Sequence, residues 1–302
     1  MSSLRRIALC SLALAVTSLA PAFTRAQGDD RMPPETKAPA ASPVMNGIAH
    51  IAIRVKDVAA SEDFYHKLGF DAPFSMKRGD VVTQAFLKVN DRQFMELYPV
   101  TPRDSQTGFL HLCFEGADLN ALHDFYVSEG LTPIAVRTAG AGNLLFTMKG
   151  PQQYADPQNI EYTQYMPGSM HSKDFGQHLG PDRVGDKMTV VALAMQDPAA
   201  ARSYYLDKLG FHPSATNPKL LDLPGSSGEA VEIVPVSELG SRSSIVLTTP
   251  DLDKSAAQLT RQQVPFKRAS AGITNAAGKT RTVDMISVTD PDGNIIRIEQ
   301  AK

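Results

Sequence analysis

The sequence contains little cysteine, which excludes a fold held together by disulfides. Its 302 residues include only two cysteines, Cys10 and Cys113. Cys10 lies in an apolar N-terminal run that we expect to be removed, and the one remaining cysteine cannot form an internal disulfide. The fold therefore does not depend on such a bond.

Positive charge is not in excess either. The chain has 30 Lys and Arg residues against 32 Asp and Glu residues, for a net charge of -2. Loss of the N-terminal leader would remove three arginines and no acid, which brings the net charge to about -5. A mildly acidic chain without a basic run is a poor candidate for nucleic-acid binding.

The N-terminus has the layout of a secretory signal peptide, residues 1–26. Arg5 and Arg6 precede an apolar run, Ile7 to Ala20, and small residues then lead to a cleavage site after Ala26. A basic start, an apolar centre and a small-residue end are typical of segments removed on export. An uncleaved membrane helix is disfavoured because the run is shorter than a bilayer span requires. We therefore predict a periplasmic or secreted protein with no membrane attachment after cleavage.

Four later segments repeat one pattern of strand, helix and further strands. They span residues 48–70, 109–133, 188–211 and 243–266. In the first and third segments an Asp precedes the helix, a Tyr follows eight positions later, and Leu-Gly-Phe ends the segment. Asp is a favoured helix N-cap and Gly a favoured terminator. Repetition of this kind indicates four copies of one βαβββ module.

Composition between the modules sets the predicted domain boundaries. We predict a disordered tether at 27–46, which is rich in Pro, Ala and charge, and a first pair of modules at 47–166. A Gly-rich polar linker at 167–187 and a second pair of modules at 188–302 follow. A DPDG turn at 290–293 introduces the last strand. The expected fold class is α+β.

This arrangement resembles the vicinal oxygen chelate superfamily, which includes glyoxalases, extradiol ring-cleaving dioxygenases and bleomycin-resistance proteins. The resemblance covers nearly all of residues 47–300. It is carried by the D-x7-Y…LGF helix openings, the DPDG turn, and a charged residue in the last strand of each module. It implies two tandem domains whose mixed sheets curl into open cups around a ligand.

Candidate metal ligands occupy matching positions in the two modules of the first domain. His50 and His111 lie in the first strands of their modules, and Glu96 and Glu161 lie in the last strands. A pseudo-twofold axis between the modules would bring the four side chains to one point. Two imidazoles and two carboxylates suit a divalent ion that keeps open positions for a substrate.

The second domain lacks this set of ligands. In the same register Val190 and Ser244 replace the two histidines, while Glu232 keeps the first carboxylate position. Either Arg297 or Glu299 corresponds to the second carboxylate. We therefore expect the second domain to hold no metal and to serve as a pseudo-dimer partner or as a wall of the substrate cleft.

The four-ligand set looks like the lactoylglutathione lyase branch, in which two His and two Glu hold nickel or zinc. That resemblance implies a proton-transfer base at Glu161 and a substrate carboxylate on Arg54, four residues after His50. An ion pair at the rim is the alternative for Arg54. Cys113 shares a strand face with His111, so it either lines the pocket or packs as a small buried hydrophobe.

The extradiol dioxygenases offer an alternative, because they hold iron or manganese with two His and one Glu, here His50, His111 and Glu161. They also need an acid–base residue near the metal, for which Tyr165, His171 and His178 are candidates. A ligand-sequestering protein of the bleomycin-resistance type is a third interpretation.

The preferred interpretation is an exported, glyoxalase-like lyase or isomerase that uses one divalent ion, Zn, Ni, Fe or Mn. Its expected partners are a small oxygen-rich substrate and, as one option, a second copy of the chain.

Overall fold

The computed structural model describes residues 44–225 and 227–301. The predicted signal peptide and most of the predicted tether lie outside these residues. The first strand begins at Met45, slightly before the predicted start of the first domain. Within the described ranges, no helix is both long enough and apolar enough to span a bilayer.

The described part of the chain forms two halves of similar element order. The elements of the first half are β1 (Met45–Val55), α1 (Val58–Lys67), β2 (Phe74–Arg78), β3 (Val81–Lys88), β4 (Phe94–Pro99), β5 (Gly108–Gly116), α2 (Leu119–Ser128), β6 (Arg137–Thr138), β7 (Leu144–Gln152) and β8 (Pro157–Gln164). A short helix, α3 (Met170–Lys173), follows. The elements of the second half are β9 (Lys187–Met195), α4 (Pro198–Asp207), β10 (His212–Pro213), β11 (Leu220–Asp222), β12 (Ala230–Pro235), α5 (Val236–Leu239), β13 (Ser244–Thr249), α6 (Leu252–Arg261), β14 (Lys267–Thr274), β15 (Thr280–Thr289) and β16 (Ile295–Gln300).

Each half forms one mixed sheet, and within residues 44–225 and 227–301 both sheets have eight strands. The strand orders are β2-β3-β4-β1-β5-β8-β7-β6 and β10-β11-β12-β9-β13-β16-β15-β14. In both, the first strands of the two modules pair antiparallel at the centre, and each has the last strand of its own module beside it in parallel. The predicted α+β architecture of two tandem domains is confirmed.

An aspartate begins each of the four longer helices, as the repeat predicts for the first and third. The carboxylates of Asp57, Asp118, Asp197 and Asp251 accept the backbone N–H three residues later. This bond satisfies a donor that the first helical turn leaves free, and it contributes about 1 kcal/mol per helix.

The helices of both halves share one apolar core, which contains residues from each sheet within the described ranges. Phe114 of the first half and Phe211 of the second have ring centroids 5.5 Å apart. The repeated tyrosine of each half also reaches across. Tyr65 donates a hydrogen bond to Asp290 at 3.1 Å, and the Tyr205 hydroxyl lies 2.8 Å from the amide nitrogen of Gln158. The helices and the core cover one face of each sheet, and the opposite face lines the cup.

The stretch predicted as a linker is attached to the first sheet through a buried lysine. Lys88, on β3, is fully buried, and its ammonium lies 2.8 Å from the carboxylates of both Asp91 and Asp174. It also donates to the backbone carbonyl of Asp174 at 2.6 Å. This ion pair places α3, and with it His171, over the cup face of the first sheet.

We predict that Lys88→Met lowers the free energy of unfolding by about 3–5 kcal/mol, because it leaves two carboxylates without their buried cation. Urea denaturation followed by circular dichroism measures this loss. Lys267→Met is the matched control, since Lys267 is exposed and forms no ion pair within the described ranges. The control should change stability by less than about 0.5 kcal/mol. Equal stability of the two variants would contradict the anchoring role.

Candidate metal centre

The strand register brings four ionisable side chains onto one face of the first sheet. Ala52, at the sheet centre, pairs with Glu96 on one side and with His111 on the other. Cys113 pairs with both His50 and Glu161. Because residues two apart share a face, the four chemically active residues project into the cup around the small side chain of Ala52. We name His50, Glu96, His111 and Glu161 the tetrad.

The tetrad is compact. The His50 ring nitrogens lie 3.4 Å from the Glu96 carboxylate and 3.2 Å from that of Glu161. His111 Nε2 lies 3.8 Å from Glu161 and 4.0 Å from Glu96. The Nε2 atoms of the two histidines are 3.2 Å apart. The structure thus brings together all four residues that the sequence selects.

Burial and mutual charge give the members of the tetrad different pKa values. Three members are at most 9% exposed, and the Glu161 side chain is 13% exposed. Burial raises the pKa of Glu96 to about 7, although the charge of His50 opposes the shift. Burial would also raise the pKa of Glu161, but His111 and His50 outweigh it and hold that pKa below its usual range. Burial lowers the pKa of His111 to about 4, so this imidazole is neutral at pH 7.

These donors fit a divalent metal ion. The ligand atoms of His50, Glu96 and His111 all lie within 4.8 Å of one another. Imidazole nitrogen together with carboxylate oxygen is a donor set used for zinc, iron, nickel and manganese. A neutral His111 and an ionised Glu161 are already in the protonation states that metal binding requires.

Two neighbours fix the orientation of Glu96. The side-chain amide of Gln84 donates to Glu96 Oε2 at 2.6 Å, and the Tyr98 hydroxyl donates to the same oxygen at 3.1 Å. The other oxygen, Oε1, faces His50. Outer partners of this kind hold a ligand in the orientation that a metal needs.

Cys113 is fully buried beside Glu161, and its thiol belongs to a second possible ligand group with His50 and Glu161. It does not line the cavity of about 210 Å³ above the tetrad. Burial raises the pKa of this thiol well above its ordinary value, and Glu161 adds to the shift. Its position fits a packed small side chain with a sulfur in reach of Glu161.

Arg54 is not brought to the tetrad. It shares the strand face of His50, but its guanidinium lies 3.8 Å from Asp104 and lines a separate cavity. Tyr165 contributes to the wall of the tetrad cavity, and its hydroxyl donates to the Arg92 carbonyl at 2.9 Å. Tyr162 is fully buried in the core. His178 lies beside Asp174, outside the lining of the tetrad cavity.

His171 is one of the three acid–base candidates, among which the sequence could not choose. The cavity above the tetrad is lined by His50, Glu96, Glu161 and also His171. The imidazole packs edge-on against Phe94 and Phe74, with centroid distances of 4.6 and 5.0 Å. Its segment has no helical or strand periodicity, so no pattern in the sequence indicated that this histidine would reach the cup.

Asn143 determines the tautomer of His171. The backbone N–H of Met166 donates to Asn143 Oδ1 at 3.1 Å, so the Asn143 amide nitrogen must face His171 Nδ1, 2.9 Å away. Nδ1 is then an acceptor, and a neutral ring carries its proton on Nε2. Burial lowers the His171 pKa to about 3, which keeps the ring neutral. Nε2 is buried and its N–H has no hydrogen-bond partner within the described ranges, in a residue that lines the cavity.

The second half replaces the tetrad with an internal ion pair. Ala192 pairs with Glu232 and Ser244 as Ala52 pairs with Glu96 and His111. In the same register Arg297 corresponds to Glu161, and its guanidinium lies 3.0 Å from the Glu232 carboxylate. The alternative correspondence of Glu299 to Glu161 does not hold, because Arg297 occupies that position.

We predict that Glu96→Gln stabilises the metal-free protein at pH 8 by roughly 1–3 kcal/mol. The raised pKa of Glu96 means that protonated Glu96 contributes stability below its unfolded pKa of about 4.5 and that this contribution is lost as the pH rises through about 7. Gln keeps the neutral form, so the difference should shrink toward pH 5. Urea denaturation with a chelator present measures it.

Glu232→Gln is the matched control in the second half. It leaves Arg297 without its carboxylate, so it should lower stability slightly rather than raise it. Stabilisation of the same size in both variants would show that the effect does not come from the buried tetrad.

We predict that ¹⁵N NMR of the imidazoles finds the His171 proton on Nε2. Asn143→Asp should move it to Nδ1, because a carboxylate accepts a hydrogen bond where the amide donates one. Asn275→Asp, in an exposed turn, should leave the His171 signals unchanged. A proton on Nδ1 in the unsubstituted protein would overturn the assignment.

Both halves of the chain match the profile of one protein superfamily. The sequence profile of the Glyoxalase/Bleomycin resistance protein/Dioxygenase superfamily matches residues 47–161 and 187–298. No curated protein sequence matches the chain.

Several solved structures have the same fold. The Mn(II)-bound glyoxalase from Novosphingobium aromaticivorans has a TM-score of 0.64 at 14% identity, over 85% of this chain and 82% of its own. The 2,3-dioxygenase LapB from Pseudomonas sp. KL28 has a TM-score of 0.63 at 13% identity, over 86% and 94%. An extradiol ring-cleaving dioxygenase from B. fuscum has a TM-score of 0.61 at 15% identity, over 87% and 74%.

At such low identity the structural likeness concerns the fold alone, whereas the profile covers more than half of the chain in two repeats, one in each sheet. The chain therefore belongs to the Glyoxalase/Bleomycin resistance protein/Dioxygenase superfamily.

Proposed function

We propose that this protein is an exported, metal-dependent lyase or isomerase of the glyoxalase type, in which the tetrad holds one divalent ion. The observation that carries the proposal is the inward orientation of Glu96, whose two oxygens lie 3.4 Å from His50 and 4.0 Å from His111. A carboxylate in that place makes a four-ligand set and leaves fewer open positions for dioxygen. The signal-peptide-like sequence of residues 1–26 supports export.

The bound ion would supply Lewis acidity toward two adjacent oxygens of a small substrate. His171 would donate its free Nε2–H to a substrate oxygen, and Phe74, Phe86 and Phe94 exclude water around that imidazole. The cavity of about 210 Å³ limits the reacting part of the substrate to a small molecule.

One of the two carboxylates would move a proton next to the polarised carbonyl. The resemblance assigns this role to Glu161, which is ionised at neutral pH and therefore ready to accept. Glu96, with a pKa raised to about 7, has the proton affinity that a general base needs at neutral pH. The variants Glu161→Gln and Glu96→Gln separate the two roles, since the base variant should lose turnover while it retains more of its metal.

An extradiol-type dioxygenase is the second candidate. Two observations support it. His171 is a neutral residue beside a site that contains two His and Glu161, and the fold is similar to that of extradiol dioxygenases. Oxygen uptake discriminates the two. The iron-loaded protein would consume oxygen with a catechol if it were a dioxygenase, whereas lyase or isomerase turnover proceeds without oxygen uptake.

We predict about one divalent ion per chain after reconstitution with Mn, Fe, Zn or Ni, measured by elemental analysis on the mature protein. His111→Ala should weaken metal affinity at least about 100-fold, because loss of an outer partner alone costs 10–100-fold.

Ser244→Ala, at the corresponding position of the second half, is the matched control and should bind metal like the unsubstituted protein. Absence of stoichiometric metal after reconstitution would exclude the proposed function. Full metal content in His111→Ala would show that the ligand set is wrong.

A further inference from the structure

Cys113 lies on the sheet directly beneath the tetrad. It pairs with His50 on one side and with Glu161 on the other, so its side chain projects from the sheet between these two residues. One donor atom from each of the three residues, the thiol sulfur included, lies within 4.8 Å of the other two. The sulfur is therefore placed among the donor atoms of the tetrad.

The pseudo-twofold relation between the modules pairs Cys113 with Ala52. Each of these two residues has one His and one Glu of the tetrad as its strand partners. A methyl group thus occupies one of two equivalent positions beneath the ligands, and a thiol occupies the other. The sheet presents a fifth donor atom to the site on one side of the axis.

Valine replaces this cysteine in the second half. Val246 pairs with Val190 and Arg297, which stand at the positions of the missing His and Glu. Val246 therefore corresponds to Cys113, and it is buried as well. The fold accepts a branched apolar side chain at this place, so packing alone does not account for a sulfur in the half that has the tetrad.

Cys113 is packed, but not in the apolar core. It is fully buried, yet none of the apolar clusters among the described residues contains it. Its chain neighbours Leu112 and Phe114 do belong to the shared core. The Phe114 carbonyl is 3.8 Å from the sulfur, which is a long contact. The thiol therefore faces the ligands and not the core.

The thiol approaches the site from the side of the sheet. Cys113 does not line the cavity above the tetrad, whereas His50 and Glu161 do. A sulfur ligand in this place leaves the positions that face the cavity to a substrate. Sulfur is a softer donor than the nitrogen and oxygen of the tetrad, and it favours zinc over manganese and magnesium.

We propose that Cys113 is a fifth ligand of the ion, bound as the thiolate, and that it makes the site selective for zinc over manganese. Its S–H proton is released to solvent when the ion binds. The inference rests on the proposed function, because it needs the tetrad to hold an ion, and it selects among the metals that the donor set of the tetrad allows.

Cobalt(II), which substitutes for zinc, tests the coordination by absorption spectroscopy. A thiolate bound to cobalt gives an intense charge-transfer band in the near ultraviolet, which nitrogen and oxygen ligands do not give. Cys113 is the one cysteine outside the predicted leader, so the band reports on this residue alone. In an anaerobic titration of the mature protein, we expect it to rise with the visible cobalt bands and to saturate at about one ion per chain.

Two variants remove the sulfur in different ways. Cys113→Ser keeps a hydroxyl of similar size, and Cys113→Val introduces the residue of the second half. Near-ultraviolet circular dichroism of the metal-free proteins shows whether each variant is folded. Both should lose the charge-transfer band and keep the visible bands. In competition titrations their preference for zinc over manganese should fall at least about tenfold.

Val246→Cys is the matched control, because it places a thiol at the corresponding position of the half without the tetrad. It should leave the cobalt spectrum and the zinc preference unchanged. Visible cobalt bands without a charge-transfer band would overturn the inference and leave the proposed metal centre standing. A band that survives in Cys113→Ser, or an unchanged zinc preference in that variant, would overturn it too. Absence of any cobalt binding would instead reject the proposed function, and this inference with it.

Discussion

The antiparallel pairing of β1 with β5 is the contact on which the rest of the site depends. Each strand begins a module, and each has the last strand of its own module beside it in parallel. The pairing therefore brings equivalent positions of two repeats to one place. Ala52 at the crossing is small enough to leave room for two imidazoles and two carboxylates. Neither module alone could supply more than half of the ligand set.

The charged side chains in the cups of the two halves are compensated differently. In the second half Arg297 neutralises Glu232, so that cup is electrostatically complete without a ligand. In the first half two carboxylates share one site with two imidazoles. Burial keeps His111 neutral, whereas Glu96 and Glu161 outweigh burial at His50 and raise its pKa. Burial of ionised groups without full compensation costs stability, and the divalent cation proposed above would remove that cost. The two halves thus differ in the charges of their cups and not in their fold.

The tetrad could be predicted because it depends on two properties visible in a sequence, strand alternation and repetition. Arg54 shows the limit of alternation, which fixes the face of a strand but not which cavity along that face a long side chain enters. The position of His171 in the cup could not be predicted from the sequence. Its position follows from the buried contact of Lys88 with Asp174 across 86 positions of the chain, and its tautomer follows from Asn143. Such long-range contacts leave no periodic signal. The signal peptide lies outside the described residues and stays a prediction.

The shared core has a consequence for how the molecule unfolds and how it can be divided. Tyr65 and Tyr205 reach into opposite halves, and apolar residues of both sheets form one cluster within the described ranges. An excised first half would expose the apolar face of its helices to water. We therefore expect the four repeats within the described ranges to unfold as one cooperative unit, with the second half supporting the strands that carry the tetrad.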